Sequence, residues 1–239
     1  MRREHRRELK HDKFVDEIGT LSTRARENQP FLLAVTLAVV AAGLIAYGAY
    51  FYRTTREQKA QDALAVAIDT IESPLLPAAG TQQQVQPGAK YKTEAERNAA
   101  AEKQFKDVEA KYSGTDAADV GNLYLARLQA GRGDIAGARK LLNGFVSEHP
   151  KHVLVGSARF SLYQLRIENG EAAQVTSELQ SEVNKSDPIL PADSLLVLMA
   201  HAYETQGNAQ KSKEAYRRIT TEFPDSPYAL EAQRRMGPA

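Results

Sequence analysis

The sequence has no cysteine and no tryptophan, only 7% aromatic residues, and charges that nearly cancel, 31 Lys+Arg against 30 Asp+Glu. Without cysteine, disulfides, zinc knuckles, iron–sulfur clusters and thiol nucleophiles are excluded together, and no stray thiol is carried into an oxidising compartment. A net charge of +1 removes the strongly basic face that nucleic-acid binding wants. Also missing are a Walker A loop, a GxGxxG turn and a GxSxG nucleophile elbow. A length of 239 residues leaves room for one folded domain and an appendage.

What the sequence does have is a charge-free run, Phe31 to Tyr52, reading FLLAVTLAVVAAGLIAYGAYFY. As a helix at 1.5 Å per residue it is about 33 Å long, enough for a hydrocarbon core of about 30 Å. Pro30 sits where a helix start tolerates it, and Tyr47, Tyr50, Phe51 and Tyr52 crowd the far end as an interfacial aromatic belt would. A secretory signal has a short leading segment and a shorter apolar core; here 30 residues precede the run and no small-x-small cleavage pattern follows it before Arg53. The reading is an uncleaved single-pass anchor. Ala34, Ala38, Ala42 and Ala46 recur every four residues, with Gly43 beside them. That is either a face for close packing of another helix or the common alanine content of such spans.

The flanks set the orientation. Residues 1–30 hold eight Lys/Arg and residues 53–72 hold three, so the charged tail is expected in the cytoplasm and the rest in the periplasm or its equivalent. Within the tail, Phe14, Ile18 and Leu21 mark a short amphipathic helix, which either rests on an anionic leaflet or a partner or is simply solvated. Its eight bases are interleaved with six acids, a poor arm for nucleic acid. After the span, Ala60, Leu64, Ala67, Ile68 and Ile71 keep helical spacing without Gly or Pro. The apolar helix should therefore continue unbroken to Glu72. A Pro-, Gly- and Gln-rich stretch follows, giving a loop or linker over residues 73–93.

From there the chain repeats. EKQFKDVEAKYSGTDAA from Glu102 aligns with KEAYRRITTEFPDSPYA from Lys213, an offset of three 37-residue steps. Phe105, Leu142, Leu179 and Tyr216 fall on that step, as do Gly133, Gly170 and Gly207. Each unit reads helix, glycine turn, helix, break. First helices are expected at 116–131, 153–168 and 192–206, and second helices at 134–148, 171–184 and 208–222. An earlier second helix at 94–112 should pair with the 53–72 extension, and a closing helix should run from Ser226, as N-cap, to Met236. A helix pair cannot bury its apolar face alone, so such units stack into a solenoid.

These residues resemble the tetratricopeptide repeat (TPR). Ala126 and Ala200 match its small first-helix residue, Tyr203 its aromatic, Gly133-Asp134 and Gly207-Asn208 its turn, Ala138 its second helix, and Pro150 and Pro224 its end. The middle unit departs, with Val175 where the repeat prefers Ala and Asp187 where it prefers Pro. The fold class expected is all-α: a single-pass transmembrane helix at 31–52, an extension at 53–72, and a TPR-like solenoid with a C-terminal cap at 94–239. This layout resembles the YfgM-type family of ancillary SecYEG translocon subunits and cell-division-coordinator TPR proteins. The resemblance implies a scaffold at the bacterial inner membrane, with periplasmic chaperones or emerging chains as partners.

No residues carry catalysis, and no cofactor, metal or small-molecule substrate is expected. His149 and His152 with Glu148 superficially resemble a metal site, but Pro150 breaks the helix that would hold them, so they read as surface turn residues. Repeat arithmetic instead places Arg127, Gln164 and His201 as a polar row in a partner-binding groove, and Leu123, Phe160 and Val197 as an apolar row beside it, for a peptide or partner helix. The competing reading is an accessory subunit of another membrane complex, for example an energy-transducing one, held through its span and tail.

Overall fold

The structure, a computed structural model, describes residues 29–78 and 84–237; the amphipathic helix expected in the tail lies outside them. The described residues form two compact units, divided between Arg56 and Glu57. The fold is all-α: among the described residues the only β-type pairing is a single bridge between Leu75 and Tyr91.

Helix α1 covers Gln29–Glu72 and has no break at the end of the apolar run. The reason is local: no proline or glycine falls between Gly48 and Glu72, and good helix formers fill the sequence after Arg53. In the first unit, the side chains of the apolar run are exposed, and the stretch is long and apolar enough to cross a membrane. Thr36 satisfies its hydroxyl within the helix, donating to the Leu32 carbonyl at 2.9 Å, an arrangement compatible with an apolar surrounding.

In the second unit, the last turns of α1 bury Ala60, Leu64 and Ala67 against Ala101 and Phe105 of α2 (Glu94–Tyr112) and Leu125 of α3 (Asp116–Gly131). The 53–72 extension and the 94–112 helix, expected from spacing to pair, thus share one apolar cluster with α3. The Glu57 carboxylate accepts the backbone N–H groups of Asp116 and Ala117 at 2.9 and 3.1 Å. Together with the Thr115 hydroxyl on Ala118 N, it satisfies the open donors at the start of α3. The connection from Ser73 to Thr93 is tied at both ends: Leu76 N donates to Tyr91 O at 2.8 Å, and Arg97 donates to Ser73 O at 3.1 Å.

The remaining helices follow in sequence order. Helix α4 (Ile135–Glu148) packs on α3; in the middle pair α5 (Val155–Arg166) runs through a π-helical turn, Ile167–Glu171, into α6 (Ala172–Glu182). On α7 (Ala192–Thr205) packs α8 (Ala209–Glu222), and α9 (Ala229–Met236) closes the series. The turn glycines Gly133, Gly170 and Gly207 have φ of 84°, 88° and 73°, a region only glycine enters at little cost. In the first and last pairs the turn is a Schellman-type closure, with Asp134 N on Gln129 O and Asn208 N on Tyr203 O. Leu142, Leu179 and Tyr216 are buried at the same place in successive pairs. The cap at the C-terminus differs from the expected one: α9 starts after Tyr228, while the Ser226 hydroxyl accepts Tyr228 N and donates to the Asp193 carboxylate on α7.

Candidate functional site

A stack of helix pairs offers two faces, and the first helices α3, α5 and α7 line one of them. Between α3, α4 and α5 lies an open cleft of about 530 Å³. Leu123, Ala126, Ala158 and Leu165 form its apolar floor, with Ser157, Ser161 and Gln164 along the rim. The alanines make the cleft: with no side chain beyond Cβ at 126 and 158, the helices leave space between them. Arg127 and Glu168 stand at the cleft's margins, both exposed. Arg127 also borders a second cleft beside α2, and Gln164 and Glu168 border a third beside α7.

The structure brings Leu123, Arg127 and Gln164 together in this cleft and places the other three groove candidates elsewhere. Val197 has no exposed surface; it is packed with Leu196, Ala200, Tyr216 and Ile219 in the core between α7 and α8, so it is removed from the expected apolar row. Phe160 is half-buried and stacks on Tyr228 at 5.9 Å with rings 10° from parallel. His201 pairs with Glu231 of α9, Nε2 to Oε1 at 3.1 Å, and borders the third cleft. The physical reason is α9. Simple addition of 37 treats every first helix alike, but the last one receives the closing helix, whose Glu231 and Ala232, with Tyr228 just before it, cover what an internal repeat leaves open.

The span residues Ala34, Ala38, Ala42, Gly43 and Ala46 are exposed. An added Cβ at Gly43 meets no atom within 4 Å.

His149 and His152 prove to be latches. His149 Nε2 lies 3.1 Å from Asp119 Oδ2, and His152 Nε2 lies 2.8 Å from Asp116 Oδ1. Leu154 N donates to His152 Nδ1 at 3.0 Å, so neutral His152 carries its proton on Nε2 and donates it to Asp116. Partial burial pushes the Asp119 carboxyl above its ordinary value, against the opposing pull of His149. Among the described residues, no group of three or more His, Asp or Glu is arranged to hold a metal ion.

Sequence reasoning also missed a charged network in the middle pair. Arg166 donates Nε to Glu171 at 2.8 Å and both terminal nitrogens to Glu178 at 2.7 Å. Glu171 also takes Arg139 of α4. The paired guanidinium holds both carboxyls below the usual glutamate value, and the hydrogen bond to Glu178 is the largest influence raising that of Arg166. An Arg–Glu spacing of twelve residues across a turn has no sequence signature, so only the folded geometry reveals it.

Searches of curated proteins and of solved structures found no match. The model of the tetratricopeptide repeat-like domain matches residues 29–226. That span takes in the apolar helix, every repeat glycine and the cleft between α3 and α5, and the chain belongs to the tetratricopeptide repeat-like family.

Proposed function

We propose that this protein is a membrane-anchored adaptor of the bacterial envelope, whose TPR-like domain docks protein segments in the cleft between α3 and α5. The coarse part follows from the family, since TPR-like domains are protein-interaction modules. The observation that carries the finer part is the cleft itself. It is an open cavity of about 530 Å³ whose floor is the small, buried Ala126 and Ala158 beside Leu165, with the half-buried Leu123 reaching its surface. The basic bias of residues 1–30 over 53–72 supports a cytoplasmic tail and a periplasmic domain. The layout of tail, span and repeats supports a place beside the Sec translocon, with periplasmic chaperones or emerging chains as partners.

The test is co-purification from native membranes. Ser161→Trp fills the cleft from an exposed helix position; Ala38→Leu and Ala42→Leu add bulk to the small-residue stripe of the span. Under the adaptor reading the cleft variant loses periplasmic partners and the span variants keep them. The reverse pattern sinks the adaptor reading and favours an accessory subunit held through its span, a reading that rests on the uncovered alanine stripe. Orientation has its own check. The chain has no cysteine, so Ser113→Cys introduces one labelling site. An impermeant reagent must reach it only from the non-cytoplasmic side, and labelling from the cytoplasm would overturn the periplasmic placement.

A further inference from the structure

The cleft between α3 and α5 has a charge pattern that the docking reading alone does not require. Its only charged lining residues are Arg127 and Glu168. Neither has a hydrogen bond or ion pair to any described residue, whereas several charges near them are engaged. Arg132 holds Glu102, Arg139 and Arg166 hold Glu171, Arg166 also takes Glu178, and Arg235 lies 3.8 Å from both Glu204 and Glu231. A cation and an anion left free on the same apolar cleft have open valence toward a ligand. The two also lie toward different neighbouring clefts, Arg127 toward α2 and Glu168 toward α7, so they mark opposite directions along the groove.

Resting on the docking reading above, we propose that this cleft selects a protein segment in which an apolar side chain is flanked by a carboxylate on one side and an ammonium or guanidinium on the other. The apolar side chain lies over Ala126 and Ala158, where the floor has room; the carboxylate meets Arg127 and the cation meets Glu168. Ser157, Ser161 and Gln164 supply hydroxyl and amide groups for the segment's backbone. A segment of one charge sign would leave either Arg127 or Glu168 facing a like charge, which is a cost rather than a gain. The arrangement therefore sets the polarity in which a partner lies along the groove.

The experiment uses the full chain in detergent micelles and short synthetic peptides with a central leucine, one Asp and one Lys placed on opposite sides at varied spacing. Each has an Asn/Gln analogue, and binding is read by fluorescence anisotropy. The expected result is that the best charged peptides bind about tenfold tighter than their neutral analogues, an advantage that falls with salt. Arg127→Gln should abolish the preference for Asp over Asn alone, and Glu168→Gln the preference for Lys over Gln alone. Both side chains are exposed and unpaired, so neither change should alter the circular dichroism. Ser161→Trp should abolish all binding. If Ser161→Trp blocks binding but neutral peptides bind as well as charged ones, the charge proposal fails and the docking reading stands. Peptides that bind equally well to Ser161→Trp defeat both. Binding by no member of the set, or a single variant that erases both preferences, overturns the charge proposal.

Discussion

The middle helix pair shares its glycine turn with the pairs on either side of it, but closes that turn through a π-helical segment, Ile167–Glu171, and uses different side-chain chemistry. All three turn on a glycine with positive φ at the same 37-residue step. After that glycine the first pair has Asp134 and the last has Asn208, each of which caps its second helix by accepting a backbone N–H, from Gly137 and Lys211. The middle pair has Glu171, which makes no such cap and instead joins Arg166 and Arg139. At the next shared position, Ala138 and Ser212 are answered by Val175. At the small first-helix position, Ala126 and Ala200 are answered by Tyr163, with Arg166 lying over its ring at 5.7 Å. The repeat geometry thus fixes the glycine and the buried apolar step, while the middle pair lacks the cap, carries bulkier side chains and adds an ion-pair network that spans two repeats.

The largest expected effect tests what the pairs share. Leu142→Ala and Leu179→Ala should each cost about 2–5 kcal/mol in urea unfolding, since both remove side chains buried at equivalent positions. A loss under about 1 kcal/mol at Leu179 alone would show that the middle pair is loosely packed. Next, Ala200→Tyr writes the middle pair's side chain into the last pair. Ala200 has no exposed surface, so overpacking should cost about 1–3 kcal/mol. Asp134→Ala and Asn208→Ala should each cost about 1 kcal/mol through loss of the cap, with faster amide exchange in the first turns of α4 and α8. Glu171→Ala should leave the exchange at the start of α6 unchanged, because no side-chain cap is lost there.

The smallest effect is electrostatic and has a sign. Glu171 and Glu178 titrate below the usual glutamate value of 4.5 in the folded protein because Arg166 bonds their charged forms. Their contribution is therefore complete above that value and fades as pH falls through the lowered folded value. Arg166→Met should lower Tm modestly at pH 7 and by less in high salt, because these groups are partly exposed. The Tm difference from the unaltered protein should close in strong acid. A difference that grows on acidification would contradict the network.

How much of this was legible in the sequence follows from what kind of signal each feature leaves. Helix α1 and the first-helix and second-helix order were legible because glycine turns and apolar spacing are local. Asp116–Gly131, expected as 116–131, coincides with α3, and Ile135–Glu148 falls within the expected 134–148. That Leu123, Arg127 and Gln164 line one cleft followed from the 37-residue step, since α3 and α5 are internal to the stack. The displacement of Val197 and the covering of Phe160 were not legible, because they depend on where α9 packs, and a period carries no information about the element that ends it. The Glu57 carboxylate at the start of α3 and the His149 and His152 latches were hidden for the same reason. Each joins residues dozens of positions apart through geometry alone.

The central claim is that partners meet this protein in the cleft between α3 and α5. A photo-crosslinking amino acid placed at Ser161 in the cleft, or at the exposed Lys140 on the second helix α4, tests it in native membranes with the full chain. The account predicts discrete protein adducts from position 161, lost when excess charged leucine peptide is added, and none from position 140. Adducts from position 140 with none from position 161 would contradict it.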